Sequence, residues 1–178
     1  VVVQLYPFAS KYLLNIDPKI LNDDCYDLLQ VTHVPVSDFY QKLTTAETLV
    51  DTVTIISDLM RELIAANEVP QNDNIQQSIK RIIEQRGRVK IQDIQAELNI
   101  PERTFERNFV SEVGLTPKQF AKIIQFQYSV DTLNSENFNT LTDVGIGSGF
   151  SDQSHFTRAF KEYTGMTPSL YLQTAQAM

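Results

Sequence analysis

The feature that most constrains this chain is an internal repeat in its C-terminal half. The stretch RTFERNFVSEVGLTPKQF (103–120) is matched by SHFTRAFKEYTGMTPSLY (154–171) at an offset of 51 residues. The matched pairs are Phe105/Phe156, Arg107/Arg158, Phe109/Phe160, Gly114/Gly165, Thr116/Thr167, Pro117/Pro168 and Phe120/Tyr171. The upstream residues match at an offset of 50, so one residue is inserted before the second stretch. Two copies of one small unit are therefore expected.

Each copy has the pattern of a helix, a tight turn and a second helix. Gly114 and Gly165 end the second helices, where a positive φ is favoured. The Thr-Pro pairs that follow predict a capping residue and a first helical proline. The predicted helices are 91–98 and 102–113 in one copy, and 141–148 and 152–164 in the other. Helix, short turn, helix is the helix-turn-helix unit.

The second helix of each copy has an aromatic side and a polar side. Phe105 and Phe109 in one copy, and Phe156 and Phe160 in the other, are expected to face inward. The opposite rows are Arg103, Glu106, Arg107 and Val110, and Ser154, Thr157, Arg158 and Lys161, at helical spacing. A helix with a donor-rich face fits the major groove of B-DNA.

A long linker helix over 116–134 is predicted between the copies, with an apolar stripe that includes Phe120, Ile124 and Leu133. About 20 residues at ~1.5 Å each span ~30 Å. Two reading helices held about one DNA turn apart, ~34 Å, can enter successive major grooves on one face of the duplex. The fold class expected is mainly α: two helix-turn-helix subdomains joined by this helix.

The stretch LTDVGIGSGFSDQSHFTRAFKEYTGMTPSLY resembles the signature of the AraC/XylS family of bacterial transcription regulators. The resemblance covers roughly 75–172, and it implies an all-helical module that binds double-stranded promoter DNA in the cytoplasm beside RNA polymerase. The DNA contacts it implies are Arg103, Glu106, Arg107, Gln153, Ser154, Thr157, Arg158 and Lys161. Arginine can bond guanine in a bidentate way and glutamine can read adenine. Lys161 and the backbone amides of 116–118 are expected to hold phosphates.

The sequence departs from the family pattern mainly in the first copy. Gln95 and Gly145 stand where the family has a small residue, often alanine, and Pro101 replaces a serine cap that Ser151 keeps. Glu102 and Glu106 lie near the DNA-facing end of the first reading helix and repel phosphates. We therefore expect the second copy to bind DNA more strongly than the first.

The N-terminal region is predicted to be a separate, partial regulatory or dimerisation domain over 1–70, followed by the DNA-binding domain at 71–178. The first helix-turn-helix is placed at about 90–113 and the second at about 140–164. VVVQLYP (1–7) predicts a strand, which makes the N-terminal segment α+β. Residues 67–74 are polar, contain Pro70, and are typical of a linker. The chain lacks an initiator methionine, and the family resemblance implies that an effector-binding β-barrel precedes it; the effector itself is unknown.

A long helix is predicted over 45–66, capped by Thr44 or Thr45. Its apolar residues repeat at spacings of four and three, and they are Leu49, Val53, Ile56, Met60 and Leu63. This spacing is compatible with a helix packed inside its own domain and with a homodimer seam.

Charge and composition exclude several classes of function. The formal net charge of −7 is concentrated in residues 1–71, which have four bases and ten acids, whereas 72–178 have eleven and twelve. A near-neutral half can still present a basic face. Cys25 is the one cysteine and His33 and His155 the two histidines of the 178 residues, so we expect no disulfide, metal site, cofactor or catalytic site, and no enzyme. No apolar run reaches the ~20 residues that a membrane span needs.

The sequence therefore leaves two classes of function. The first is a sequence-specific DNA-binding transcription regulator. The alternative is a protein-interaction or oligomerisation module whose repeat has lost DNA affinity, which the acidic first reading helix favours.

Overall fold

The protein is mainly helical. The computed structural model describes residues 3, 5–6, 8–19, 27–32, 34–67 and 72–176. Within these residues the elements are α1 (Ala9–Leu14), α2 (Leu28–Val31), α3 (Val36–Thr45), α4 (Leu49–Ala66), α5 (Asp73–Glu84), α6 (Ile91–Leu98), α7 (Glu102–Val113), α8 (Pro117–Asn134), α9 (Leu141–Gly147), α10 (Gln153–Thr164) and α11 (Pro168–Gln176). The mainly α fold class and the helix order of both copies are confirmed.

Some sequence predictions concern residues outside the described ranges. Cys25 and His33 are among them, as are four residues of the strand predicted over 1–7 and four of the linker predicted over 67–74. Val3, Leu5 and Tyr6, which the structure does describe, belong to no strand. The described N-terminal segment is thus helical rather than α+β.

The chain divides into two compact units. One comprises Val1–Asn72 together with Glu106–Leu115, and the other comprises Asp73–Phe105 together with Thr116–Met178. The C-terminal two thirds of α7 therefore belong to the same unit as the N-terminal helices.

The core of the first unit lies between α1, α3 and α4. Its buried residues are Leu13, Val36, Phe39, Leu59 and Leu63. Asn67, which follows α4, donates from Nδ2 to the carbonyl oxygens of Leu13 at 2.7 Å and Leu63 at 2.8 Å. These two bonds tie the end of α4 to the end of α1.

The long helix of this unit begins later than the sequence predicted. Thr48 is the N-cap of α4: its hydroxyl accepts from the amide of Asp51 at 3.1 Å, and the Asp51 carboxylate accepts from the amide of Thr48. Thr44 and Thr45, the predicted caps, are the last residues of α3. Thr44 also has an acid, Glu47, three residues ahead of it, but it lies within α3, so the capping box of α4 is formed by Thr48 and Asp51.

The predicted apolar row of α4 divides between core and surface. Leu63 is 1% exposed, whereas Leu49 is 69% and Val53 50% exposed. Ile56 and Met60 are half-buried. Over two heptads such a row drifts by only about 40°, so it stays on one face of the helix. The row divides because the buried residues that α4 contributes to the core, Leu59 and Leu63, lie in its C-terminal half.

The second unit has a core around the second copy of the repeat. Leu133, Val144, Phe150, Phe156 and Phe160 form one buried cluster. Half-buried hydrophobic residues packed against it come from α8, α10 and α11 and from the residues before and within α9, and they include Phe126, Val130, Phe138, Leu141, Ala159 and Tyr171. Linker helix and second helix-turn-helix thus share one core.

Local signals at the helix ends agree with this arrangement. Thr116 caps α8 through a capping box with Gln119, and Pro117 is its first residue. Gly114 and Gly165 follow the two second helices with φ values of 81° and 74°. Side chains other than glycine rarely adopt such φ values, which explains why the copies share glycine at this point.

Candidate nucleic-acid interface

The second helix of each copy is anchored by aromatic residues. Phe105 and Phe109 in α7, and Phe156 and Phe160 in α10, are each 0% exposed. Within α10, the rings of Phe156 and Phe160 meet edge to face with centroids 5.7 Å apart. The buried side of each helix fixes which side faces solvent.

The polar row of α7 is exposed. Arg103, Glu106 and Arg107 are open to solvent and form no ion pair with another described residue. Val110, in the same row, is half-buried. With Glu102 also exposed, this surface has two acids and two bases and no formal net charge.

The polar row of α10 is exposed and partly oriented by neighbours. Gln153 accepts at Oε1 from the Thr142 hydroxyl at 2.8 Å, which leaves a lone pair on that oxygen and both amide donors. Arg158 is exposed and donates from Nε to the carbonyl oxygen of Ser154 at 3.4 Å. Ser154 and Lys161 are exposed, and Thr157 is half-buried.

The N-terminus of α10 is capped by Asp152, not by Ser151 as predicted. The Asp152 carboxylate accepts from the amide of His155 at 2.7 Å. That bond and the one from the Ser151 hydroxyl lower the pKa of Asp152 below its usual value. At the offset of 51, the residue of the first copy that corresponds to Asp152 is Pro101, which has no side-chain acceptor.

His155 is packed rather than free. Its ring meets Phe150 edge to face at 5.4 Å, and its Nδ1 lies 3.2 Å from the Ser151 hydroxyl oxygen. The residue is half-buried. This geometry is that of a packed side chain.

Gly145 is required by the close approach of α9 to α10. A Cβ built on it would lie 2.9 Å from Cβ and 3.1 Å from Cδ1 of Phe156. For Gly147, in the same helix, such a Cβ would meet no atom within 4 Å from the described residues beyond its own stretch of helix. Gln95, at the corresponding position of the first copy, is half-buried, so α6 accommodates a long polar side chain there.

The backbone donors predicted at 116–118 are fewer than expected. The amide of Thr116 donates to Gln119 Oε1 at 3.0 Å within the capping box. Pro117 has no N–H. The predicted phosphate site is therefore reduced to the amide and the exposed ammonium of Lys118.

The C-terminal half of α7 is covered by the N-terminal helices, which sequence reasoning missed. Glu112 is 8% exposed and accepts from Lys11 Nζ at 2.8 Å and from the Tyr12 hydroxyl at 2.7 Å. At the end of α7, a Cβ on Gly114 would lie 2.8 Å from Cβ of Pro18. These contacts join residues about a hundred positions apart, so no local pattern could indicate them.

The described residues contain neither a group of metal-ligating side chains nor a membrane-spanning helix. Among them, no three His, Cys, Asp or Glu side chains are grouped as metal ligands would be. None of the helices in those ranges is long and apolar enough to cross a membrane.

Several known transcription regulators are similar in sequence to this chain. A family model described as a helix-turn-helix domain matches residues 94–174. The HTH-type transcriptional regulator RipA of Corynebacterium diphtheriae is 37% identical over 73 residues, 41% of this chain and 21% of that protein. The virulence regulon transcriptional activator VirF of Shigella flexneri is 29% identical over 132 residues, 74% of this chain and 48% of that protein. The chain thus spans between about a fifth and a half of these curated relatives.

Solved structures show the same fold. A probable AraC family transcriptional regulator from Rhodopseudomonas palustris superposes with a TM-score of 0.52 at 27% identity, covering 58% of this chain and 98% of that one. ToxT from Vibrio cholerae superposes with a TM-score of 0.52 over 85% of this chain and 50% of its own, at 18% identity. The second likeness concerns the fold alone.

Proposed function

We propose that this chain, whose residues 94–174 form a helix-turn-helix domain of the AraC family, is a transcription regulator that binds promoter DNA sequence-specifically. The proposed DNA-binding domain is 71–178, and the chain acts in the cytoplasm. The proposed contacts to DNA are Arg103, Glu106, Arg107, Gln153, Ser154, Thr157, Arg158 and Lys161.

One observation carries this proposal: the repeat presents the same exposed position twice on equivalent helices. Arg107 and Arg158 occupy matching positions, opposite pairs of phenylalanines that are 0% exposed. A rigid helix with outward hydrogen-bond donors is the element that enters a major groove. The formal net charge of the whole chain, −7, opposes DNA binding, so local donors have to supply the attraction.

The test is a gel shift on duplexes selected from a random pool, repeated at increasing salt. Binding through phosphates falls steeply with salt because counterions are released. Lys161→Ala should reduce the slope of log K against log salt by about 1 if Lys161 contacts a phosphate. The control is Arg61→Ala on α4, which removes an equally exposed cation outside the proposed domain and should leave the slope unchanged.

The alternative, an interaction module without DNA affinity, predicts a different result. In that case the chain would enrich no sequence from the pool and would show no salt-dependent shift. A chain that fails in this way, while still self-associating, would replace the regulator with the interaction module.

Homodimerisation is a second proposal, and a specific observation supports it. The first half of α4 exposes Leu49, Val50 and Val53 to the extent of 69%, 73% and 50%. Three neighbouring exposed apolar side chains on one helix are typical of a surface that another molecule covers. The occupant we propose is α4 of a second copy; Leu63, buried in its own core, is excluded from the seam predicted over 45–66.

Sedimentation equilibrium tests the dimer. Val53→Glu should convert a dimer to a monomer, because a charge cannot be buried unpaired at the centre of the contact. Thr54→Glu, at the next exposed position, is the matched control and should leave the mass unchanged. A monomer mass that does not vary with the concentration of the unaltered chain would contradict this proposal.

Two further partners belong to the same hypothesis. We propose that the chain, bound at a promoter, contacts RNA polymerase and that a small-molecule effector sets its activity. In vitro transcription from a selected promoter, with and without the chain, tests the first of these.

A further inference from the structure

The turn between α5 and α6 is pressed against the linker helix. Gly87 in this turn is buried, with a φ of 72°. A Cβ on it would lie 2.2 Å from the carbonyl oxygen of Ala121 and 2.7 Å from Cγ of Gln125, both in α8. The close approach therefore requires glycine. We refer to residues 86–88 as the strap.

The two arginines of the strap reach in different directions. Arg86 lies over the ring of Tyr128 in α8, with Cζ 4.3 Å from the centroid, and donates to its hydroxyl. Arg88 donates from Nη1 to the carbonyl oxygen of Gly147, the last residue of α9, at 3.2 Å. The strap thus bonds the linker helix on one side and the second helix-turn-helix on the other.

The stem of Arg88 fits the turn of the second copy closely. Gly149, in the turn between α9 and α10, has a φ of 92°. A Cβ on it would lie 2.7 Å from Cγ and 2.9 Å from Cδ of Arg88, and 3.0 Å from Nε2 of Gln125. The aliphatic part of Arg88 therefore lies where any larger residue would place its side chain.

The bond from Arg88 is directional, in contrast to the core of the second copy. The apolar cluster attaches α8 to α9 and α10 by burial, which is non-directional. The carbonyl groups at the end of α9 have no partner within the helix and carry a partial negative charge. A guanidinium bound there resists rotation of α9 and α10 about the shared core.

We propose that Arg88 is a positioning residue for DNA recognition, which holds the second helix-turn-helix in one orientation on the linker helix, so that the motif read by α10 has a single position in the binding site. This inference rests on the proposed function. Arg88 acts through Gly147 and the turn at Gly149, and it need not contact DNA itself.

The experiment is a parallel selection of duplexes, from a random pool long enough for two half-sites, by three forms of the full chain. Arg88→Met retains the apolar stem and removes the hydrogen bonds. Lys90→Met, two residues further on, removes the same charge from an exposed position at the start of α6, where its side chain makes no capping bond. Each form is also titrated against a duplex with both half-sites and a duplex with the second half-site alone.

Arg88→Met is expected to lose the fixed separation between the two motifs and to retain recognition of each motif. The unaltered chain and Lys90→Met should enrich two motifs at one separation, whereas Arg88→Met should enrich the same motifs at several separations. Affinity of Arg88→Met for the two-site duplex should fall roughly two- to tenfold, the worth of one hydrogen bond. Its affinity for the single half-site should not change, which also verifies that the second copy is folded.

Three results would overturn the inference. A single separation retained by Arg88→Met, with weaker binding to every duplex and a smaller salt slope, would make Arg88 a phosphate contact. A single motif enriched by the unaltered chain would remove the bipartite site while leaving DNA binding intact. Enrichment of no sequence by the unaltered chain would overturn the proposed function itself.

Discussion

The two copies of the repeat have the same plan and different neighbours. Their second helices, α7 and α10, are both 12 residues long, have phenylalanines that are 0% exposed, and end at a glycine with positive φ. The residue that precedes each helix differs, and so does one side chain near each C-terminus. Pro101 precedes α7 where Asp152 caps α10, and Glu112 of α7, 8% exposed, corresponds to Tyr163 of α10, 41% exposed.

The two copies therefore share a backbone fold and differ in the contacts that their side chains make. Gly114 has Pro18 against it, whereas a Cβ on Gly165 would meet no atom of a more distant described residue within 4 Å. The first copy shares its second helix with the N-terminal unit. The second copy is capped by its own residues and attached to the linker helix by the strap. The following substitutions test this difference between the two copies.

The buried phenylalanines of α7 and α10 should contribute equally to the free energy of unfolding. Phe156→Ala removes a side chain that is 0% exposed, and it should lower the free energy of unfolding by ~3–5 kcal/mol. Phe105→Ala, equally buried, should have a similar effect. Urea unfolding measures both, with Leu170→Ala, 47% exposed, as a control expected to cost little. A cost for Phe156→Ala below about 1 kcal/mol would refute the anchoring role.

Glu112 should contribute more to stability than an exposed glutamate of the second copy. Glu112→Gln removes the charge that Lys11 and Tyr12 bond, and it should destabilise the first unit by roughly 1.5–3 kcal/mol. Glu162→Gln, exposed on α10, is the matched control and should change stability by less than about 0.5 kcal/mol. Equal effects in thermal or urea unfolding would remove the asymmetry that we describe.

The two arginines of the repeat should contribute unequally to DNA binding. Arg158→Ala should cost ~1–3 kcal/mol on a selected duplex if it contacts a base. Arg107→Ala should cost less, because Glu102 and Glu106 reduce the attraction of the first reading row for phosphates. Fluorescence anisotropy measures both affinities, and circular dichroism should show unchanged helical content. A larger cost for Arg107 would reverse our ranking of the copies.

The glycines of α9 offer the smallest and most specific contrast. Gly145→Ala places a methyl group 2.9 Å from Cβ of Phe156, so it should destabilise by about 1 kcal/mol. Gly147→Ala has open space and should be neutral or stabilising by up to ~1 kcal/mol. Differential scanning calorimetry resolves the two. Opposite signs are the result expected, and a stabilising Gly145→Ala would contradict the close approach of α9 and α10.

Sequence alone predicted the helices of both copies because their signals are local. The glycines and the Thr-Pro pairs mark the ends of α7, α8 and α10, and the inward phenylalanines give α7 and α10 an apolar face. None of these signals depends on a distant residue. The same reasoning was wrong where several residues compete for one role. It chose Thr44 or Thr45 over Thr48 for α4, and Ser151 over Asp152 for α10.

Contacts between distant residues could not be predicted from one sequence. Lys11 and Glu112 are 101 positions apart, and Arg88 and Gly147 are 59 apart. The cluster RGRVK (86–90) contains the strap, and no local pattern in it indicates the contact between Arg88 and Gly147. The DNA-contact roles of the exposed residues and the domain boundary near residue 71 remain predictions.

The bonds from Lys11 and Tyr12 to Glu112 have a thermodynamic consequence. They connect α1 to the helix that carries the first reading row, so any molecule that favours one placement of α1 shifts the energy of that helix. By reciprocity, the DNA binding that we propose for the first copy would change the affinity for that molecule by the same factor. A titration of either binding partner in the presence of the other would measure this coupling from both directions.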